Sequence, residues 1–291
     1  MSSQPKPVIH PLFHSPTSTY QYLLADPTTL SAVIIDPVLD FDPSTGTISS
    51  SSADAILGLV RNEGYTVTHL LETHAHADHL TAAYYLKQQL GGKPKICIGK
   101  RITKVQTTFA EKYAVNKKEL EGVFDVLWED DEVFQVGELE ARVMWLPGHT
   151  EDHVGYVIGE NIFTGDSIFN PDVGSARCDF PGGDAHQLFQ TSQALLSLPP
   201  HYKIYTGHDY PPGGDSGRAA PLPYTTVLEQ QRLNKHLKEG TLEEEFVAWR
   251  KERDGGLGEP RLLHQALQVN IRGGRLPADG FLKVPVKGVK L

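Results

Sequence analysis

Within seven residues, Thr73-His74-Ala75-His76-Ala77-Asp78-His79, the chain places three imidazoles and a carboxylate. Side chains two apart on an extended segment point the same way, so His74 and His76 can converge on one ion. Asp78 and His79 are read as opening the following helix, His79 to Leu86, from which they reach a second ion beside the first. Neutral imidazole and carboxylate suit Zn, Fe and Mn. The cluster follows directly on a short apolar strand, Val67 to Leu71.

Further ligand types recur at the ends of apolar runs. His149 follows Leu146-Pro147-Gly148, Asp166 follows Phe163-Thr164-Gly165, and His208 follows Ile204-Tyr205-Thr206-Gly207. In each case a glycine immediately precedes the ligand type, and glycine lets the backbone turn tightly against a crowded centre. A lone Gly-His or Gly-Asp is ordinarily only a turn. Three of them in a chain that also carries the histidine cluster point to one shared centre.

Composition limits the classes of function. The 291 residues carry 27 Lys and Arg against 36 Asp and Glu, a net charge of −9, which argues against nucleic acid as a partner. Hydrophobic residues make up 39%, enough for a sizeable core. No run of 18 or more apolar residues is present, so no membrane span is expected. Met1 to Pro7 lacks the apolar segment of a secretory signal and is poor in Arg. A cytoplasmic location is expected, with the mitochondrion left open. Cys97, in the buried strand Ile96-Cys97-Ile98, and Cys178 are the two cysteines; they make no disulfide scaffold and fit a reducing interior.

Strands are expected at Thr19 to Leu24 and Ser31 to Asp36, bounded by Asp26-Pro27 and Asp36-Pro37. Asp42 to Ser52 reads as a surface loop. Asp54 then caps a helix with Ile56, Leu57, Leu59 and Val60 on its apolar face and Gly64 at its stop. Glu138 to Leu146 is a further strand, and Val154 to Ile158 with Asn161 to Thr164 a hairpin. Helices are expected at Ala185 to Leu198 and Thr226 to Lys238, with a solvated one at Leu242 to Arg253. Two β-rich layers flanked by helices result. The chain reads as one catalytic domain, residues 1–223, with a C-terminal extension, residues 224–291, packing on it.

On His74-x-His76-x-Asp78-His79, Gly148-His149, Gly165-Asp166 and Gly207-His208, the chain resembles the metallo-β-lactamase-fold superfamily from about residue 8 to residue 210. The resemblance implies an α+β fold, a four-layer αββα sandwich. It implies a first metal site of His74, His76 and His149, and a second of Asp78, His79 and His208, with Asp166 bridging. The metal expected is Zn2+, one or two ions. Two ions would deprotonate a water near neutral pH, and Asp78 would orient that water or pass a proton to the leaving group. Asp78 and Asp166 are thus the catalytic carboxylates. Asp152 and His153, beside His149, read equally as partners behind the ligands or as surface loop.

Two stretches, Gly174 to Gly183 and His208-Asp209-Tyr210, resemble the persulfide dioxygenase branch, whose members use one Fe2+ and O2 to oxidise a persulfide such as glutathione persulfide. His74, His149 and Asp166 would then form a two-His, one-carboxylate set. By that resemblance Arg177 holds a substrate carboxylate; the alternative is an internal ion pair with Asp179 or Asp184. Cys178 reads as a small buried residue. The middle segment, Lys100 to Asp131 with Phe109, Tyr113, Phe124 and Trp128, and the long tail also resemble fungal metallo-lactamases that open benzoxazolinone-type lactams. Those aromatics read either as core or as the lining of a pocket for a flat apolar substrate. The first expectation is therefore a metal-dependent hydrolase of a small cyclic amide, lactone or thioester. The alternative is a mononuclear Fe2+ persulfide dioxygenase. A purely structural metal site is disfavoured, because such sites are closed, four-coordinate and rich in Cys. The expected partner is a small-molecule substrate, with no nucleic acid and no membrane; a homodimer is left open.

Overall fold

A computed structural model describes residues 5–211 and 217–283. Residues 1–4 of the expected leader-free N-terminus and residues 284–291 of the expected extension lie outside the described residues.

The first half of the chain runs through β1 (Val8–His14), β2 (Thr19–Ala25), β3 (Ser31–Ile35), β4 (Val38–Asp42), β5 (Thr47–Ser49), α1 (Ser51–Glu63), β6 (Thr66–Leu71), β7 (Leu80–Thr81), α2 (Ala83–Gln89), β8 (Lys95–Gly99), α3 (Ile102–Tyr113) and β9 (Val126–Trp128). The second half runs through β10 (Val133–Val136), β11 (Leu139–Trp145), β12 (Val154–Ile158), β13 (Asn161–Phe163), α4 (Ala185–Leu196), β14 (Lys203–Tyr205), β15 (Tyr224–Thr226), α5 (Val227–Leu233), α6 (Glu243–Gly255) and α7 (Leu263–Asn270). Two six-stranded sheets form, in the orders β1-β2-β3-β6-β8-β9 and β10-β11-β12-β13-β14-β15.

Strand periodicity builds the four layers. In β2 every residue is buried, and alternate side chains go to opposite faces. Tyr20, Tyr22 and Leu24 face the other sheet, where they join Val136, Val143, Tyr156 and Phe163. Leu23 and Ala25 face outward and meet Ile56, Leu57 and Val60 of α1 together with Ala266 and Val269 of α7. On the far side, Leu188 and Leu195 of α4 and Phe246 of α6 cover Ile162 and Ile204. This is the expected αββα sandwich. Among the described residues no helix is long and apolar enough to cross a membrane.

Five local expectations change. The stretch Asp42 to Ser52 is not all loop: β4 and β5 form a hairpin within it, and α1 begins at Ser51. The helix starts early because the Asp40 carboxylate accepts from both the amide and the hydroxyl of Ser52, at 2.8 Å each, satisfying a first-turn donor from outside the helix. Ser50 is therefore the cap position. Asp54 lies in the first turn, accepting from the Ser50 and Tyr85 hydroxyls at 2.8 and 2.7 Å. Asp78 and His79 do not open a helix. Leu80 and Thr81 pair with Leu39 and Val38, which keeps that stretch extended, and α2 begins only at Ala83. The helix expected over Thr226 to Lys238 ends at Leu233, where the Asn234 side chain takes the amides of His236 and Leu237 at 3.0 Å. A side chain that bonds forward in this way competes with helix propagation. Finally, α6 is only half solvated: Phe246, Val247, Arg250 and Asp254 are buried, and Phe246 packs on Phe189 of α4 at 5.6 Å.

The C-terminal helix α7 also reaches the histidine loop. Asn270 Nδ2 donates to the carbonyls of His76 and His79, and its Oδ1 accepts from the Thr81 amide, all at 2.8 Å. Asn270→Ala leaves these groups buried without partners. It is expected to cost about 3 kcal/mol, at roughly 1–3 kcal/mol per stranded group with partial relaxation. Urea denaturation of the two proteins measures the difference.

Candidate metal centre

The parallel pairing of β13 with β14 sets Phe163 opposite Tyr205, so both strands end level. Asp166 and His208 each follow three residues later, and the two turns are tied by the Gly207 amide donating to the Gly165 carbonyl at 2.8 Å. Both glycines are required by crowding. Gly165 has φ +49°, and a Cβ there would lie 2.6 Å from the Thr73 hydroxyl and 2.8 Å from His153 Nε2. A Cβ on Gly207 would lie 2.6 Å from Asp166 Oδ1. The loops after β6 and β11 bring His74, His76, Asp78, His79 and His149 to the same end.

Each imidazole is held by one nitrogen, and the tautomers follow from the partners. The Thr73 hydroxyl donates to Asp36 Oδ2 at 2.9 Å, so it accepts from His74 Nδ1 at 3.0 Å and leaves Nε2 of His74 as a bare lone pair. His76 Nε2 donates to Asp36 Oδ1 at 3.0 Å, with Glu72 Oε2 at 3.5 Å. His149 Nδ1 donates to the Arg177 carbonyl at 2.7 Å, and His208 Nδ1 to the Ser18 carbonyl at 3.1 Å. The inward-facing atoms then find no protein donor or acceptor: His76 Nδ1, His79 Nε2 and Asp166 Oδ1 are buried and unpartnered. Metal-binding histidines commonly show this arrangement, one nitrogen anchored and the other bare. The residues present fit divalent cations.

The donor atoms fall into two groups, His74 with His149 and Asp166, and His76 with Asp78 and His79; within each they lie within 4.8 Å of one another. His208 Nε2 joins them, 3.3 Å from Asp78 Oδ2 and 3.4 Å from Asp166 Oδ2. All seven ligand-type residues expected are thus brought together, but His76 groups with Asp78 and His79 and not, as expected, with His74 and His149. The His76 ring lies between the groups, 4.1 Å from His74 and 4.2 Å from His79. Asp36, Glu72 and His76 form a third acidic group, but it is saturated by Thr73 and Thr81 and braces the centre from behind.

Burial pushes the Glu72 carboxyl up to about 8. Burial works against a charged His76, yet Asp36 and Glu72 outweigh it and hold the ring up at about 10, so a cation at Nδ1 takes the place of a proton there. Burial likewise opposes the Asp78 anion, but His208 and His79 hold that carboxyl well below the ordinary range. His74 is pushed down by burial and by its neighbouring rings, so it stands neutral and ready to ligate.

Several residues that brace the centre carried little signal in the sequence. Asp36 has φ +48°, a costly conformation for a side-chain-bearing residue. The Asp-Pro pair after a strand was its only trace. Asp152 and His153 prove to be braces and not surface loop. Asp152 Oδ2 accepts from the Ala75 amide at 2.8 Å, and His153 Nε2 from the Asp166 amide at 2.9 Å. The Arg177 guanidinium is paired in a fork with Asp179, at 2.5 Å through both Nε and Nη2, and Nη1 bonds the Gly258 carbonyl. Cys178 is buried, its amide bonded to Asp254. Of the middle-segment aromatics, Trp128 lies between the sheets, while Phe109 borders a hollow beside His149. The centre opens into a cavity of about 900 Å³, with Asp78, His149, Asp166 and His208 at its floor, Phe169, Tyr210 and Trp249 on its walls, and Lys235, Arg253 and Arg261 also lining it.

The profile of the metallo-β-lactamase superfamily matches residues 14–208. The chain belongs to that superfamily, and it is an enzyme of it. It is 47% identical over 286 residues to a beta-lactamase hydrolase-like protein of Agrobacterium fabrum, across 96% of this chain but only 65% of the relative, so it spans just under two thirds of that protein's length. It is 29% identical to the mitochondrial persulfide dioxygenase ETHE1 of Bos taurus, across 92% of this chain and 89% of the relative. Among solved structures it is similar to ETHE1 from Myxococcus xanthus, with a TM-score of 0.73 and 30% identity over 92% of this chain and 100% of the other.

Asp36→Asn removes the charge that aims His76 and, through Thr73, His74. Loss of such a partner typically weakens metal binding 10- to 100-fold. Competition titration against a chromophoric chelator is expected to show a loss of about tenfold or more, with the fold intact by circular dichroism.

Proposed function

We propose that the chain is a hydrolase that uses two divalent cations to open an activated carbonyl, in a small cyclic amide of the lactam kind or a related lactone or thioester. The observation that carries this reading is the pair of bare nitrogens in the second ligand group, His76 Nδ1 and His79 Nε2, both buried. A buried polar atom without a partner costs roughly 1–3 kcal/mol, and a cation in the second group as well as the first relieves that cost. Zn2+ is the expected ion. Bound cations supply Lewis acidity, which polarises a carbonyl and brings the pKa of water towards 7.

The chain's own side chains do the rest. Asp78 borders the cavity with its side chain 31% exposed, and its Oδ2 is shared between His79 and His208. It is the carboxylate placed to hold an attacking water and to carry a proton to the leaving group. Asp166 sits on the other side, its amide fixed by His153, so the floor is rigid where the reacting atoms meet it. Tyr210 lies parallel to the His208 ring at 5.9 Å. Desolvation of its hydroxyl and the nearby Asp166 and Asp78 keep its phenol protonated, so it can donate towards a developing oxyanion. In a chain of net charge −9, the gathering of Lys235, Arg253 and Arg261 around this cavity suits a substrate with an anionic group remote from the carbonyl.

A second reading, a mononuclear Fe2+ persulfide dioxygenase, is favoured by a different observation. His74, His149 and Asp166 form a group by themselves, the two-His, one-carboxylate set of non-haem iron oxygenases. The likeness to the bovine persulfide dioxygenase supports it further.

Metal analysis of protein purified without added metal, paired with assays of lactam, lactone and thioester opening and of O2 uptake on glutathione persulfide, separates the two. The hydrolase is expected to carry two ions per chain and to lose one of them, with at least about 100-fold of its rate, in His79→Ala. One iron per chain, O2 uptake and turnover surviving in His79→Ala would replace the first reading by the second.

A further inference from the structure

Beside the main cavity lies a smaller hollow of about 260 Å³. The two share Ala77, His149, Arg177, Leu257 and Pro260 as common wall. His149 is a ligand of the centre, so whatever fills the hollow touches the floor at which the reaction occurs. The walls that belong to the hollow alone are Phe109, Phe180, Pro181 and Leu263, with Lys112, Asp179 and Glu259 at its edge. Phe109 and Phe180 meet at 5.4 Å between ring centres, and both, with Leu263, belong to the core packed between α3 and α7. The walls are thus fixed by the fold and do not need a ligand to shape them.

Two further facts define the occupant. Of the charged members of the hollow, Asp179 is taken by Arg177, Glu259 lies within 3.9 Å of His264, and Lys112 is exposed, with its ammonium 5.8 Å from the Phe109 and Tyr113 ring centres. What remains facing the space is chiefly hydrocarbon and aromatic. A closed apolar cavity of about 150 Å³ holds one benzene ring. Scaled by carbon count, the present hollow of about 260 Å³ has room for one ring or two fused rings, and three would overfill it.

We infer that this hollow is a subsite for an aromatic group of one or two fused six-membered rings, or a branched alkyl group of similar bulk, attached directly to the reacting group of the substrate. The cationic lining of the main cavity takes the remote, polar end, and the hollow takes the short apolar end. The choice of a carbonyl as reacting group rests on the hydrolase reading; the subsite itself does not.

The test measures binding, so that it stands apart from turnover. Calorimetric titration of the metal-loaded protein with acetate, benzoate, 2-naphthoate and anthracene-2-carboxylate compares one carboxylate carrying groups of rising size. Benzoate and 2-naphthoate are expected to bind at least tenfold more tightly than acetate, and anthracene-2-carboxylate more weakly than either, in line with the roughly 10- to 200-fold discrimination that small differences in apolar fit provide. Leu263→Trp, which narrows the hollow, is expected to weaken 2-naphthoate about tenfold relative to benzoate. Phe180→Ala, which enlarges it, is expected to bring anthracene-2-carboxylate level with 2-naphthoate or above it. Equal binding of acetate and benzoate by the wild type overturns the subsite. So does a 2-naphthoate affinity unchanged in Leu263→Trp, because the rings would then be seated elsewhere. If the size ratios hold while no lactam, lactone or thioester is opened, the subsite stands and the hydrolase reading falls.

Discussion

One buried carboxylate organises the centre. Asp36 accepts the Thr73 amide at 2.7 Å, the Thr73 hydroxyl at 2.9 Å and the His76 ring at 3.0 Å. Because Thr73 in turn receives the His74 ring, two ligands are aimed from a single anion. Bonds to an ionised acceptor are about twice as strong as neutral ones. Three of them offset the roughly 1–3 kcal/mol that a left-handed, side-chain-bearing residue costs. The strain at the end of β3 is therefore not a defect of the strand. It is the conformation that lets one carboxylate serve both loop and ring.

The second half of the chain braces the centre by the same means. Asp152 takes the Ala75 amide, His153 takes the Asp166 amide, and the His153 ring lies nearly parallel to His74 at 4.7 Å. The Asp152 bond crosses between the sheets, the His153 bond ties two loops of the second sheet, and in return the Ser18 carbonyl beside β2 accepts from the His208 ring. Tyr156, between the sheets, adds a hydroxyl donated to the Glu72 carbonyl at 2.7 Å. Such a site resists small adjustments, since a shift of one loop breaks bonds on the opposite sheet.

The ligands were legible in the sequence because their chemistry is concentrated and local. His74, His76, Asp78 and His79 are neighbours in the chain, and His149, Asp166 and His208 each announce themselves by a preceding glycine. The sandwich was legible too, since strands such as Thr19–Ala25 are apolar on both faces. What was hidden depended on distant partners. Asp36 and Asn270 are ordinary polar residues until residues some 40 and 190 positions away come to meet them. Helix starts misled for the same reason: Ser52 is held by Asp40, and His79 to Thr81 by Asn270 and β4, none of which a local pattern reveals. Arg177 shows the limit from the other side. The resemblance implied a clamp for a substrate carboxylate, an ion pair with Asp179 or Asp184 stood equally open, and its surroundings show the fork shared with Asp179.

The clamp formed by Asn270 bears on the order in which the molecule is made. A ribosome releases the histidine loop long before it reaches α7, 191 residues separating His79 from Asn270. Until that helix emerges and docks, the carbonyls of His76 and His79 and the amide of Thr81 lack their Asn270 partner. The centre is finished by an element that follows all seven ligand-type residues in the chain. A nascent chain thus holds every ligand before the clamp on their loop exists, and loading at the final geometry awaits α7.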